Sequence, residues 1–215
     1  MAFTAKDVQA LREKTGCGMM DCKKALVECD GNMDAAADYL REKGLASQAK
    51  KASRIAAEGI CDTCISEDGK VAAIVEVNSE TDFVAKNDTF KAFVADVCAQ
   101  AAASDATDID AFLAETWAKD TSKSVNEALA AQIAIIGENM KIRRFEKVVA
   151  ADGFVESYIH GGGKIGILVE FKSNVYTAAV RECAKNVAMQ IAAMSPKYVR
   201  QSEISSEYIE KEKEI

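Results

Sequence analysis

Two short patterns hold the residue types that could do chemistry. Cys61-x-x-Cys64 has the spacing of a thiol–disulfide pair or half of a zinc site, and His160-Gly161-Gly162-Gly163 joins the single histidine to three glycines. Neither pattern is completed by its surroundings. Side chains three residues apart on a strand point to opposite faces, no second cysteine pair follows, and His160 is the only imidazole. Cys61 and Cys64 therefore read as strand-core cysteines, with a thiol oxidoreductase as the enzymatic alternative. The glycines could cradle a phosphate, yet no P-loop or dinucleotide pattern surrounds them. They read as a tight hairpin with a solvent-facing His160, or as a close backbone approach to a partner in which His160 supplies a donor or a stacking face. One histidine also leaves no Ser-His-Asp constellation, and the acids are spread over helix surfaces. No catalytic residue, metal site or cofactor is expected.

A chain of 215 residues, 49% hydrophobic and 28% charged, is a globular chain large enough for one large or two or three small domains. Its longest uncharged apolar runs, 133–137 and 165–169, fall far short of the roughly 20 residues that span a membrane. Residues 1–7 contain no basic flank followed by an apolar core, so a cytoplasmic location is expected, and seven cysteines read there as reduced thiols. The net charge of −7 argues against direct binding of nucleic acid or an anionic membrane. Residues 1–54 hold ten Lys or Arg against eight Asp or Glu, so the acidic excess belongs entirely to residues 55–215.

Residues 1–53 read as three short helices. Thr4 caps the first, over 5–14, and Gly16-Cys17-Gly18 ends it. The second, over 19–28, carries Met19, Cys22, Leu26 and Val27 at helical spacing, and Asn32 caps a third that ends near Gly44. Cys17, Cys22 and Cys29 read as small hydrophobes of this bundle. Residues 49–54 form an exposed basic connector.

The rest contains an internal repeat. Shifted by 94 positions, residues 59–79 lie over 153–173 without a gap, and Gly59, Ile65, Gly69, Lys70, Val75, Glu76 and Ser79 recur identically. Each copy reads as strand, glycine-containing turn and strand, followed by an apolar helix over 89–103 or 176–194. Between the copies, Asp108 starts a helix over 108–119 and the capping box at Ser124 and Glu127 starts another that ends at Gly137. The predicted fold is α+β, with a helical unit 1–53, a core unit 54–139, a related core unit 140–200, and the start of a C-terminal helix in 201–215.

The copies differ most after their second strands. The first inserts Glu80-Thr81-Asp82-Phe83-Val84-Ala85-Lys86-Asn87 before its helix cap at Asp88, and that insertion sets Phe83 and Val84 among polar residues. Phe83 either folds back onto the core or stands out as a wedge that enters a partner.

Four motifs in order, Arg12 through Leu26, Thr81-Asp82-Phe83-Val84-Ala85-Lys86-Asn87, Ile136-Gly137-Glu138-Asn139 and Ser157-Tyr158-Ile159-His160-Gly161-Gly162, resemble the bacterial translation elongation factor Ts family. The resemblance runs from the first residues to about Ile209. It implies an N-terminal bundle like a ubiquitin-associated domain, two core subdomains, and guanine-nucleotide exchange on elongation factor Tu, a binding activity without covalent catalysis. It also implies that Asp82 and Phe83, flanked by Thr81 and Val84, intrude near the partner's Mg²⁺ site. By the same resemblance Arg12, Met19, Met20 and Lys23 touch the GTPase domain, Ile136, Gly137 and His160 are further contacts, and the second subdomain's sheet meets the barrel domain. Longer members continue with a coiled-coil excursion and a C-terminal module, so a truncated or short form is expected here. Short members can act as homodimers. A scaffold that uses only the bundle is the third reading.

Overall fold

The computed structural model describes residues 3–215; Met1 and Ala2, at the start of the expected 1–53 unit, lie outside the described residues. The chain is a mixed helix-and-sheet protein whose described residues form nine α-helices and two small antiparallel sheets.

The N-terminal bundle consists of α1 (Ala5–Thr15), α2 (Met19–Glu28) and α3 (Met33–Lys51). Thr4 closes a capping box with Asp7, and Asn32 accepts hydrogen bonds from the amides of Asp34 and Ala35. Its core is Val8, Leu11, Cys22, Ala25, Leu26, Ala36 and Leu40, with Cys17 and Cys29 packed at its edge. Of the four residues at helical spacing in α2, Cys22 and Leu26 reach the core, whereas Met19 and Val27 are exposed. One expectation is corrected. The third helix does not stop at Gly44. It runs through Gly44 to Lys51, with Gly44 helical and buried where α3 packs on α7 (Val125–Ile136); a Cβ there would make only an ordinary contact, 3.6 Å from the Ala130 carbonyl oxygen. The Lys51 ammonium donates to the Ile133 carbonyl near the end of α7.

The repeat is present in three dimensions. The hairpin of β1 (Glu58–Ile65) and β2 (Val71–Ser79) and that of β4 (Gly153–His160) and β5 (Ile165–Lys172) share one register: Gly59 faces Asn78, and Gly153 faces Lys172, each pair displaced by the same 94 positions. The two hairpins also hold each other reciprocally. The Cys61 amide donates to the Gly163 carbonyl at 2.8 Å, and its equivalent, the Val155 amide, donates to the Gly69 carbonyl at 2.8 Å. Thr63 and Ser157, themselves equivalent, join hydroxyl to hydroxyl at 3.2 Å. An approximate twofold axis therefore passes between those two side chains.

Each hairpin has a helix on one face: α5 (Asp88–Ala103) on β1 and β2, and α8 (Ala178–Met194) on β4 and β5. Asn87 caps α5, one residue before the expected Asp88, because its side-chain oxygen reaches the amides of Thr89 and Phe90. Thr177 caps α8, so that helix starts after Tyr176, whose ring packs instead on Phe154. The strand β3 (Met140–Val149) opens the 140–200 segment, yet it pairs with β2 and makes the first sheet three-stranded, in the order β1-β2-β3. Phe90, Val94, Val97, Phe112, Val125 and Ile133 fill the main core beneath it. The helix expected over 108–119 is only α6 (Ile109–Ala114). Beyond it, Gln100 accepts from the Ala118 amide and donates to the Thr116 carbonyl, pulling the chain into an irregular return. After Pro196, a 3₁₀ turn (Gln201–Glu203) leads to α9 (Ser206–Glu214).

Candidate partner-binding site

The insertion after β2 forms a short helix, α4 (Asp82–Lys86), capped by the Thr81 hydroxyl. Five residues cannot sustain a helix alone, so its position depends on anchors. One face supplies two: Ala85 is buried and Val84 packs partly against the core. Phe83 lies on the other face and is 81% exposed. Of the two readings of this aromatic, folding onto the core is overturned, because the side of α4 that meets the core is taken by Val84 and Ala85.

The remaining anchors come from the segment after α7. Glu138 accepts from the Thr81 amide at 3.0 Å and from the Thr81 hydroxyl at 2.6 Å. In return, Glu80 accepts from the Asn139 amide at 2.5 Å, and the Asn139 side chain donates to the Arg54 carbonyl at 2.7 Å. Two adjacent residues on each segment thus cross-link the base of α4 to the C-terminal end of α7 and to the connector below the bundle. Glu80, Glu138, Asn139 and Arg54 were missed as contributors by sequence reasoning, although Glu138 and Asn139 belong to a recognised motif. The available hint was an insertion with too few apolar residues to hold itself, beside a carboxylate placed immediately after a helix-ending glycine. Replacing Glu138 with Ala removes charge-assisted bonds worth about 1.5–3 kcal/mol each. The expected result is faster hydrogen exchange at the Thr81 and Val84 amides with unchanged exchange in α5; protection retained in α4 would mean that Val84 and Ala85 suffice.

Asp82 pairs with Lys86 one turn later at 2.7 Å. That hydrogen bond and charge hold the Asp82 carboxyl below the usual carboxylate range, and Lys164 lowers it further. Lys86 is raised correspondingly, first by Asp82 and then by Glu58. The turn between β4 and β5 reaches the same region, because its Lys164 pairs with Glu58 at the start of β1, the strand on which α4 packs. His160 starts that turn, exposed, with its Nδ1 against the Tyr158 hydroxyl at 2.9 Å. On the other side, Gly137 caps α7 in the left-handed conformation and is exposed, while Ile136 is partly buried. The Gly16 turn of the bundle lies against Ile135, since a Cβ on Gly16 would be 3.2 Å from the Ile135 Cδ1. Met19, 43% exposed, and Met20, 62% exposed, follow that turn. Thr81, Asp82, Phe83, Val84, Ile136 and Gly137 are thus brought together directly, with His160 and the two methionines on elements that adjoin them. Arg12 and Lys23 stand on exposed helix faces, and among the described residues no hydrogen bond or ion pair ties them to α4.

The thiol alternative loses its geometry. The Cys61 sulfur donates to the Gly163 carbonyl in the second hairpin, whereas Cys64 donates to the Cys98 carbonyl in α5, so the two point to opposite faces of the sheet. Burial pushes the Cys61 thiol up, away from the thiolate. Among the described residues, no group of three or more His, Cys, Asp or Glu could hold a metal, and no helix is long and apolar enough to cross a membrane.

A family model described as "Elongation factor TS" matches residues 80–215. Elongation factor Ts of Halothermothrix orenii is 52% identical over 215 residues, covering all of this chain and 71% of that protein. The chain belongs to the elongation factor Ts family. The elongation factor Ts proteins of Clostridioides difficile and Clostridium kluyveri are 54% and 51% identical over 213 residues, covering 99% of this chain and 69% and 70% of those proteins. The elongation factor Ts family match begins at Glu80 and therefore takes in α4, the end of α7 and the β4–β5 turn together.

Proposed function

We propose that this chain is a guanine-nucleotide exchange factor for elongation factor Tu, acting by contact rather than as an enzyme, with Asp82 and Phe83 as a wedge directed at the partner's Mg²⁺ and phosphate site. The observation that carries this reading is Phe83, an aromatic side chain left 81% exposed on a five-residue helix that is anchored at its base and on its inner face. This ring is held out in water by the anchored helix beneath it, so that burial against a partner would be favourable. Full burial contributes about 1.5–3 kcal/mol of contact energy.

The partner's Mg²⁺ needs near-ideal octahedral coordination, and an inserted ring that displaces a helix beside the ion spoils it. The phosphate grip then weakens and nucleotide leaves. Linkage requires that bound nucleotide weaken the factor by the same ratio, so refilling the site ejects it. Asp82, already paired with Lys86, brings an ionised carboxylate that hydrogen bonds or repels phosphate-side groups. Met19, Met20, Arg12 and Lys23 extend the contact along the GTPase domain from the bundle, Ile136, Gly137 and His160 complete it beside α4, and the β4–β5 face meets the barrel domain.

The test loads elongation factor Tu with fluorescent GDP and chases with excess unlabelled nucleotide. Substoichiometric amounts of this chain are expected to accelerate release in proportion to their concentration. An unchanged release rate at saturating chain would remove the proposal.

A further inference from the structure

We propose that Cys64 and Cys98 form a peroxide-oxidisable dithiol site that closes to an intramolecular disulfide. Their sulfurs are 3.4 Å apart, Cys64 near the end of β1 and Cys98 on the face of α5 that covers it. The pairing differs from the Cys61-x-x-Cys64 spacing suggested by the sequence, because it joins a strand to a helix 34 positions later. Forming the bond requires the sulfurs to approach from 3.4 Å to about 2.05 Å.

The pair is chemically asymmetric. The Cys98 thiol is buried and donates to the Cys64 sulfur, and that hydrogen bond lowers Cys64 to about 7. The same contact and burial push Cys98 up, so it keeps its proton. Cys64, half-buried, is thus the nucleophile and Cys98 the resolving thiol. When Cys64 ionises it gives up its bond to the Cys98 carbonyl but retains the one from the Cys98 thiol. Cys61, by contrast, is raised by burial and faces the second hairpin, and Cys183 is exposed without a cysteine partner among the described residues.

A hydroperoxide supplies the oxidising equivalents. The Cys64 thiolate attacks the peroxide O–O bond and forms an S–O bond, and the departing hydroxide takes a proton to leave as water. The Cys98 sulfur then attacks the Cys64 sulfenic sulfur, the S–O bond breaks, the S–S bond forms, and the Cys98 proton leaves with the hydroxyl as a second water. Two thiols and one peroxide become one disulfide and two waters. The closed loop contains β2 and the whole of α4, so oxidation would staple the segment that carries Phe83 to its sheet.

The experiment treats the native full chain with hydrogen peroxide, blocks remaining thiols with iodoacetamide and maps the peptides by mass spectrometry. A Cys64–Cys98 cross-linked peptide, reversed by dithiothreitol, is expected as the first disulfide. It should raise the melting temperature by roughly 5–10 °C and be absent from Cys64→Ala and Cys98→Ala. In Cys98→Ala, Cys64 should instead be trapped by dimedone as the sulfenic acid. Recovery of both cysteines as alkylated peptides, once exposed Cys183 has been oxidised, would overturn the site. So would a first disulfide through Cys61 or within the bundle, or Cys64 passing to sulfinic acid without cross-linking. The wild-type map decides the question even if either variant fails to fold.

Discussion

Phe83→Ala is expected to lower the acceleration of GDP release by ten- to a hundred-fold while leaving the melting temperature of the free protein unchanged. The two halves of that result have separate causes. Removing a ring that a partner buries loses about 1.5–3 kcal/mol, and about 1.4 kcal/mol is a factor of ten in rate. In the free chain the same ring is 81% exposed, so its removal falls within the few tenths of a kcal/mol typical of surface changes. Stopped-flow release of fluorescent GDP measures the first, and circular dichroism on heating measures the second. Full exchange activity in the variant would rule out the wedge; a large drop in melting temperature would show that Phe83 supports the fold instead.

Gly153→Ala is expected to act in the opposite manner, on the fold rather than on an exposed contact. A Cβ at Gly153 would lie 1.7 Å from the Phe171 carbonyl oxygen and 2.8 Å from its carbon, both main-chain atoms of the facing strand. Backbone cannot yield as a side chain can, so the first pair of the β4–β5 ladder must separate. That loosens the stacked rings of Phe154 and Phe171 and displaces the Gly153 carbonyl, which accepts from the Lys70 ammonium of the other hairpin. Overpacking of this kind costs about 3 kcal/mol, equivalent to a fall of roughly 6–12 °C in melting temperature for a chain of this size. The equivalent Gly59→Ala meets the Val77 carbonyl oxygen at 2.2 Å, with the added strain of φ +127°, and should fall at least as far. Thermal unfolding of both variants checks this; an unchanged midpoint in either would mean that the strands can part without penalty.

These glycines also explain which features the sequence made legible. Gly59 and Gly153 recur at the 94-residue spacing because the same strand pairing crowds both, so comparing the chain with itself exposed the hairpins and their register. The Phe83 insertion was visible for the complementary reason, that one copy has it and the other does not. Contacts between distant segments had no such trace. Nothing local in Glu138 marks it as the acceptor for Thr81, 57 positions earlier, and Cys98 looks like any apolar helix residue until β1 is laid across it. Gly44 misled for a related reason: a helix-ending glycine and one buried inside a helix that packs on a neighbour look alike until α7 is in place. Local capping, by contrast, was readable to within a residue or two at Thr4, Asn32 and Ser124, because it depends on side chains only two or three positions away.

The tips of β-hairpins are ordinarily where proteins accept inserted residues most readily. Here each tip offers its glycine carbonyl to the opposite hairpin, Gly69 to Val155 and Gly163 to Cys61, so each turn is a clasp for the other strand pair. Lengthening one turn would withdraw an acceptor from the partner hairpin, and length variation in this chain should be confined to the connections outside the two turns. A peptide tag or fluorophore loop intended to leave the molecule intact therefore belongs in an exposed connection whose carbonyls serve no other element, not at either hairpin tip.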